Sequence, residues 1–307
     1  DMVSGLLFSG LETSKLKFVQ IQRLASLEDA ENLGITENYD IKGQSAYYQI
    51  QQFFRMNPSG DLYVMLVGTE VYGDTVKKAM SMQEKANGNI RQMAIIFSGD
   101  TTFAQTKDAL AIAQEQADLA YTDYMPFEII LEGKGFNPAI EAESPSLALL
   151  NSENVSVVIA MDVEKAFEQK LIQQDTNKVY TLKSGEELVP SQSSSDIYNV
   201  RDADGLKKDG SAVLEFAFQE SYKNTAAVGL ALGALSKAKV SENIAWIEKF
   251  NLTGNGFAKP GFVGGKEIKS HGDLRTLNGK RYIFTLSHTG IAGVYFSDWH
   301  TCTTGAS

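Results

Sequence analysis

The sequence is poor in the features that announce most functional classes. It holds one cysteine, Cys302, which excludes an internal disulfide framework and leaves the redox compartment open, with a reducing interior as the default. Basic charge is short: 28 Lys and Arg against 38 Asp and Glu give a net charge of −10. A field of that sign repels phosphate backbones and anionic bilayers, so extended nucleic-acid or membrane binding would need a local basic patch. None occurs beyond pairs such as Lys77-Lys78 and Lys207-Lys208. No apolar run reaches the ~18 to 20 residues of a transmembrane helix. The start, "MVSGLLF", is too short and lacks the basic flank of a signal peptide, so the chain reads as soluble and not exported by a classical signal.

What is present is a folding composition. Hydrophobic residues at 43% and charged residues at 21% lie in the globular range. The 307 residues suffice for two ordinary domains or one large α/β unit with an elaboration. The chain opens on Asp1 and stops in "HTCTTGAS" with no closing element, which leaves trimming at either end open.

Residues 3 to 8, "VSGLLF", and 16 to 21, "LKFVQI", read as two short strands around a polar turn. Ser26 with Asp29 three positions on forms a capping-box pattern for a short helix that Gly34 stops. Ala46, Tyr47, Ile50, Phe53 and Phe54 recur at helical spacing before Asn57-Pro58-Ser59-Gly60. Then come apolar runs of strand length at 62 to 67, 93 to 97, 127 to 133 and 155 to 161. Unbroken apolar runs are what a parallel sheet covered on both faces requires. Helical patterns separate them: Asp74 to Ala86, Phe103 to Tyr121, and Ser144-Pro145 to Leu150. The order β-α-β-α-β-α-β predicts right-handed crossovers and a layered αβα domain with a mainly parallel sheet. A smaller mixed β element built from the chain ends accompanies it. Residues 1–163 and 225–307 form this core, and 164–224, polar and serine-rich with two possible short strands, reads as a surface excursion. From Thr225 a small-residue helix follows, and "KRYIFTLSHTGIAGVYF" predicts two antiparallel strands joined around Thr289-Gly290.

Each candidate for chemistry has a plainer reading beside it. Gly68 and Gly73 have the spacing of a phosphate-binding loop, but Asp74 stands where the lysine belongs and Glu70 adds a second carboxylate. Like charges ~4 Å apart cost ~1 kcal/mol in water and several times more when shielded, so the loop rejects a triphosphate and Asp74 reads as a helix N-cap. Asp100 and Asp162 each follow a predicted parallel strand, where two carboxylates could share a magnesium ion. Each is also placed to cap the helix after it. His271, His288 and His300 cluster near the C-terminus, and in a strand His300 and Cys302 would share a face, half of a zinc site. No second ligand pair exists, no acid or oxyanion hole supports a Cys-His catalytic pair, and the plainer reading is surface and hinge residues. Gly229 and Gly233 mark a helix packed tightly on the sheet or on a neighbouring subunit. These readings assign no catalytic, cofactor-binding or metal-binding residue.

Four stretches taken in order resemble the contractile tail sheath proteins of bacteriophages and related injection systems, in particular a short prophage sheath-like group. They are "DMVSGLLFSG", "RLASLEDAENLGI" followed by "AYYQIQQFFRMNPSGDLYVMLVG", "AAVGLALGALSKAKVSENIAWI", and "RYIFTLSHTGIAGVYFSDWHTCTT". The resemblance implies a structural protein rather than an enzyme. Hexameric rings would stack as a helical sleeve around an inner tube, with arms completing sheets in neighbouring subunits, and contraction would convert one packing of rigid subunits into another. It implies as partners copies of the chain itself, the inner tail tube protein and baseplate components, with no cofactor, no nucleic acid and no membrane. The protein would be made in the bacterial cytoplasm and end in the virion tail. Two other readings stand beside it: an α/β enzyme or phosphate-ester-binding domain using Mg with Asp100 and Asp162, and another phage-particle interaction module.

Overall fold

The computed structural model describes residues 3–42, 45–161, 166–173, 180–181, 187–188, 197–199, 212–221, 227–239, 241–247, 249–252, 261–263 and 266–304. In chain order the first half holds strands β1 (Ser4–Ser9), β2 (Ile21–Leu24), β3 (Leu62–Val67), β4 (Gln92–Ile96), β5 (Glu128–Glu132) and β6 (Val155–Val158). Its helices are α1 (Leu27–Asn32), α2 (Ala46–Met56), α3 (Tyr72–Val76), α4 (Ala79–Lys85) and α5 (Phe103–Thr122). Strands β7 (Ala166–Gln173), β8 (Tyr180–Thr181), β9 (Glu187–Leu188), β10 (Ile197–Asn199) and β11 (Ala212–Ser221) follow, then helix α6 (Val228–Lys237). The C-terminal part has β12 (Phe262–Val263), β13 (Lys266–Glu267), α7 (His271–Gly279), β14 (Tyr282–Ile283), β15 (Thr285–His288) and β16 (Ile291–Phe296).

Seven strands form one sheet in the order β14-β6-β5-β4-β1-β3-β2, parallel throughout except for β2 against β3. All six residues of β1 are buried, as its central place between β3 and β4 demands. The predicted runs at 62 to 67, 93 to 97, 127 to 133 and 155 to 161 are β3, β4, β5 and β6. Their side chains are nearly all buried because helices cover both faces. One cover is α2 with α6, which touches β4, β5 and β1; the other is α3, α4 and α5. The fold is therefore mixed α/β with a mainly parallel sheet, and β15 with β16 makes a separate antiparallel pair joined at Gly290. Among the described residues no helix is long and apolar enough to cross a membrane.

Local chemistry explains both agreements and departures. Ser26 and Asp29 exchange the two bonds of a capping box, starting α1, and Gly34 ends the segment with φ +86. The strand expected at 16 to 21 is displaced to β2. Thr13 Oγ1 accepts from the amides of Lys15 and Leu16, and Glu12 accepts from Phe18, so side-chain acceptors fold 12 to 18 into a turn. The helix expected from Asp74 to Ala86 is two helices, broken after Val76. Only Leu147–Leu150 of the helix expected after Ser144-Pro145 is helical, as a 3₁₀ turn. Within 164–224, β7, β10 and β11 form a three-stranded antiparallel sheet, more strand than the polar composition suggested. The alternation in "LEFAFQE" is the signal for it.

Candidate functional site

In parallel α/β sheets the binding crevice lies at the carboxyl ends of the strands, where strand order reverses. Taking only the parallel strands, the order across the sheet is second, first, third, fourth, fifth, sixth, so the reversal is at β1. There β1 and β4 are stitched together just past their ends: Ser98 N–H donates to Ser9 Oγ at 2.9 Å, and the two hydroxyls lie 3.0 Å apart. Beside this stitch a cleft of about 330 Å³ opens over β4, β5 and β6, with Asp100, Glu132, Lys134, Asn137 and Glu143 among its walls.

Two of the wall residues are fixed by contacts between the β4 and β5 loops. Glu132 ends β5 and is buried, accepting a long 3.4 Å bond from the Phe97 amide. Lys134 Nζ donates 2.8 Å to the Gly99 carbonyl and stands 5.7 Å from the Phe97 ring centroid. The Gly135 backbone, at φ +74, presses so close to α5 that a β-carbon there would lie 2.5 Å from the Phe103 nitrogen. Thr102, with Gln105, caps α5. The amide end of this helix is thus closed by a side-chain cap and a neighbouring backbone, and the cleft's polar groups serve largely to tie the β4 and β5 loops together. Sequence reading missed Glu132 and Lys134; the signal was a carboxylate closing the apolar run "FEIILEG".

The sequence-predicted residues fare differently. Asp100 lies in the cleft wall and does not cap α5, a role Thr102 takes because its hydroxyl reaches the Gln105 amide. Asp162 lies outside the described residues. Asp74 is not an N-cap either: Val71 holds that position, and Asp74 sits in the first turn of α3, 2.8 Å from Lys77 Nζ. The Gly68 to Gly73 loop is filled rather than open. A β-carbon on Gly68 would meet the Phe18 ring at 2.7 Å, and one on Gly73 would meet Ile112 at 2.8 Å.

His271 and His288 line a second hollow of about 650 Å³ between α7 and the β15–β16 hairpin, with Arg275, Leu274, Phe296 and Asp298. His300 and Cys302 are corrected from surface and hinge residues to buried ones, at 3% and 0% exposure. Segment 300 to 302 is drawn under the body by Ser156 Oγ donating to the His300 carbonyl and Cys302 N–H donating to the Val155 carbonyl. Neither His300 ring nitrogen has a partner among the described residues. Burial, then the Arg281 charge, lowers the imidazole pKa to about 4; burial pushes the Cys302 thiol up to about 12. A thiol so raised stays protonated and is a poor nucleophile. No group of three or more His, Cys, Asp or Glu among the described residues could hold a metal ion.

The small-residue helix finds its neighbour inside the chain. Gly229 and Gly233 of α6 lie against the α2 backbone at Gln49 and Phe53. That arrangement, with the whole order of strands around it, falls within the match of a family model to residues 1–300, described as DUF2586, N-terminal domain. The chain belongs to the DUF2586 family. No curated protein matches it. The DUF2586 match spans the sheet, both helix covers and the C-terminal hairpin.

Proposed function

We propose that this DUF2586 chain is a structural subunit of a contractile tail sheath, assembling as hexameric rings stacked in a helical sleeve around an inner tube, in a virion tail or a related particle. The observation that carries this reading is the outer margin of the sheet. Strand β2 closes the sheet as a four-residue antiparallel edge, and its outer side forms no ladder with another strand among the described residues. An edge of this kind accepts a strand from another chain through main-chain hydrogen bonds.

Two further observations support it. The stretches that resemble sheath proteins supply β1 at the centre of the sheet, β2 and β3 at one margin, α2 and α6 as one cover, and β14 at the other margin with the β15–β16 pair after it. Helix α6 is also keyed by glycines onto α2, close packing that suits a subunit whose rearrangement falls at interfaces. Partners under this reading are further copies of the chain, an inner tube protein and baseplate components. Electron microscopy of the full-length protein at high concentration tests it: tubes or stacked rings are expected, and a strictly monomeric protein overturns it.

A further inference from the structure

Among the described residues, most of the exposed large apolar side chains fall in two groups, which the topology sets at opposite ends of the sheet. The first follows the carboxyl ends of β1 and β3: Leu11, Phe18, Val19 and Val71 are exposed. Backbone bonds make it one surface. Gly10 N–H donates to Val67 O at 3.1 Å, Val19 N–H donates to Leu66 O at 2.8 Å, and the Phe18 ring lies on Gly68. Val19 has φ 61, a costly conformation for a β-branched residue, and its amide bond to Leu66 holds it there.

The second group precedes the amino ends of β5 and β6. Tyr121 and Tyr124 are 77% and 93% exposed, and Leu119, Leu149 and Leu150 are exposed nearby in the chain. Tyr124 N–H donates to the Tyr121 carbonyl, while Gln114 of α5 bonds both Asp118 and Asn154, and Asn154 bonds Glu128. The α5 end, the start of β5 and the turn into β6 are thereby one surface. Exposed tyrosines in such a setting are typical anchors of protein interfaces.

The two surfaces differ in charge. Asp118, Asp123 and Glu153 are exposed on the second, where the carbonyl end of the 20-residue α5 has no basic residue in its last turn. On the first, Lys17 and Glu12 pair with each other and Lys77 pairs with Asp74, leaving exposed Lys15 and Glu70, so this surface is near neutral where the second is acidic. We propose that these are the two halves of one head-to-tail contact between copies of this chain. Tyr121 and Tyr124 of one copy seat on Leu11, Phe18 and Val71 of the next, and Lys15 faces Asp118 and Asp123. The proposal rests on the self-assembling reading above and names its surfaces. Because the halves differ, the contact propagates instead of closing as a pair. The surfaces are also offset across the sheet, from β3 to β5, about three strand spacings or ~14 Å, which staggers successive copies.

Sedimentation velocity of the full-length protein tests this with two variants at exposed positions, Tyr121→Ser with Tyr124→Ser, and Leu11→Ser with Lys15→Glu. Circular dichroism and thermal unfolding check that both fold. Wild type is expected to grow past dimer as concentration rises, each variant alone to associate at least tenfold more weakly, and an equimolar mixture to form a dimer through the one intact pair of surfaces. Variants that assemble like wild type, or a mixture that stays monomeric while wild type assembles, overturn the contact and leave self-assembly standing. A wild type that stays monomeric throughout overturns both.

Discussion

Gly229 of α6 lies directly on the backbone of Gln49 in α2: a β-carbon on Gly229 would stand 2.1 Å from the Gln49 carbonyl oxygen. The Gly229 amide donates 2.6 Å to Gln49 Oε1, so contact and hydrogen bond specify the same approach. Gly229→Ala must push the two helices apart or break that bond, and overpacking of this kind costs about 1 to 3 kcal/mol, with backbone in the way favouring the upper end. Gly279→Ala is the control, since nothing lies within 4 Å of its β-carbon position. Denaturant unfolding should show a clear loss for the first and little change for the second. Equal midpoints would refute the keyed packing.

Burial of His300 makes stability depend on pH. The folded imidazole titrates at about 4 against an ordinary value of 6.5, so between these values the unfolded chain binds a proton that the folded chain refuses. The contribution is fully present above about pH 6.5 and is lost as pH falls toward 4. Its full extent is about 3 kcal/mol at ~1.4 kcal/mol per tenfold change. Thermal melts across that window should show wild type losing stability relative to His300→Phe as pH falls. Parallel curves would contradict the assignment.

Tyr72 is fully buried, and its hydroxyl donates to the carbonyls of Glu132 at 2.9 Å and Ile95 at 3.2 Å, bridging β5 and β4 from α3. Tyr72→Phe keeps the ring stacked on Phe97, 5.6 Å between centroids, and removes only the donor. A loss of about 1 to 2 kcal/mol is expected in chemical unfolding. An unchanged midpoint would show that the bridge contributes nothing.

The loop from Gly68 to Thr75 should not take up a nucleotide. Phe18 and Ile112 occupy the space beside its glycines, Asp74 is paired with Lys77, and Thr69 and Thr75 share a hydroxyl hydrogen bond. Isothermal titration with Mg-ATP is expected to give no saturable heat; micromolar binding abolished by Gly68→Val would reverse this reading.

Much of the body was legible because its determinants are local. Val64, Met65, Ile95, Ile130 and Val157 sit in unbroken apolar runs, a pattern that burial on both faces imposes. Ser26 and Asp29 announced their capping box at fixed spacing. What escaped depends on distant partners. Gly229 and Gly233 declared close packing, but only the fold supplies Gln49 and Phe53 as the neighbours. The "LKFVQI" run has strand composition, yet Glu12 and Thr13 hold its backbone in a turn. The cap of α5 passed from Asp100 to Thr102, two acceptable capping residues separated only by where the helix begins. His300 and Cys302 stand in a short polar segment with no period, so their burial had no sequence signal.

The central claim is that this chain builds a particle through its surfaces. Negative-stain electron microscopy of the purified full-length protein, concentrated and at moderate ionic strength, tests it most directly. Tubes or ring stacks with a regular axial repeat are the predicted result. A field of single, separate particles at every concentration would contradict it.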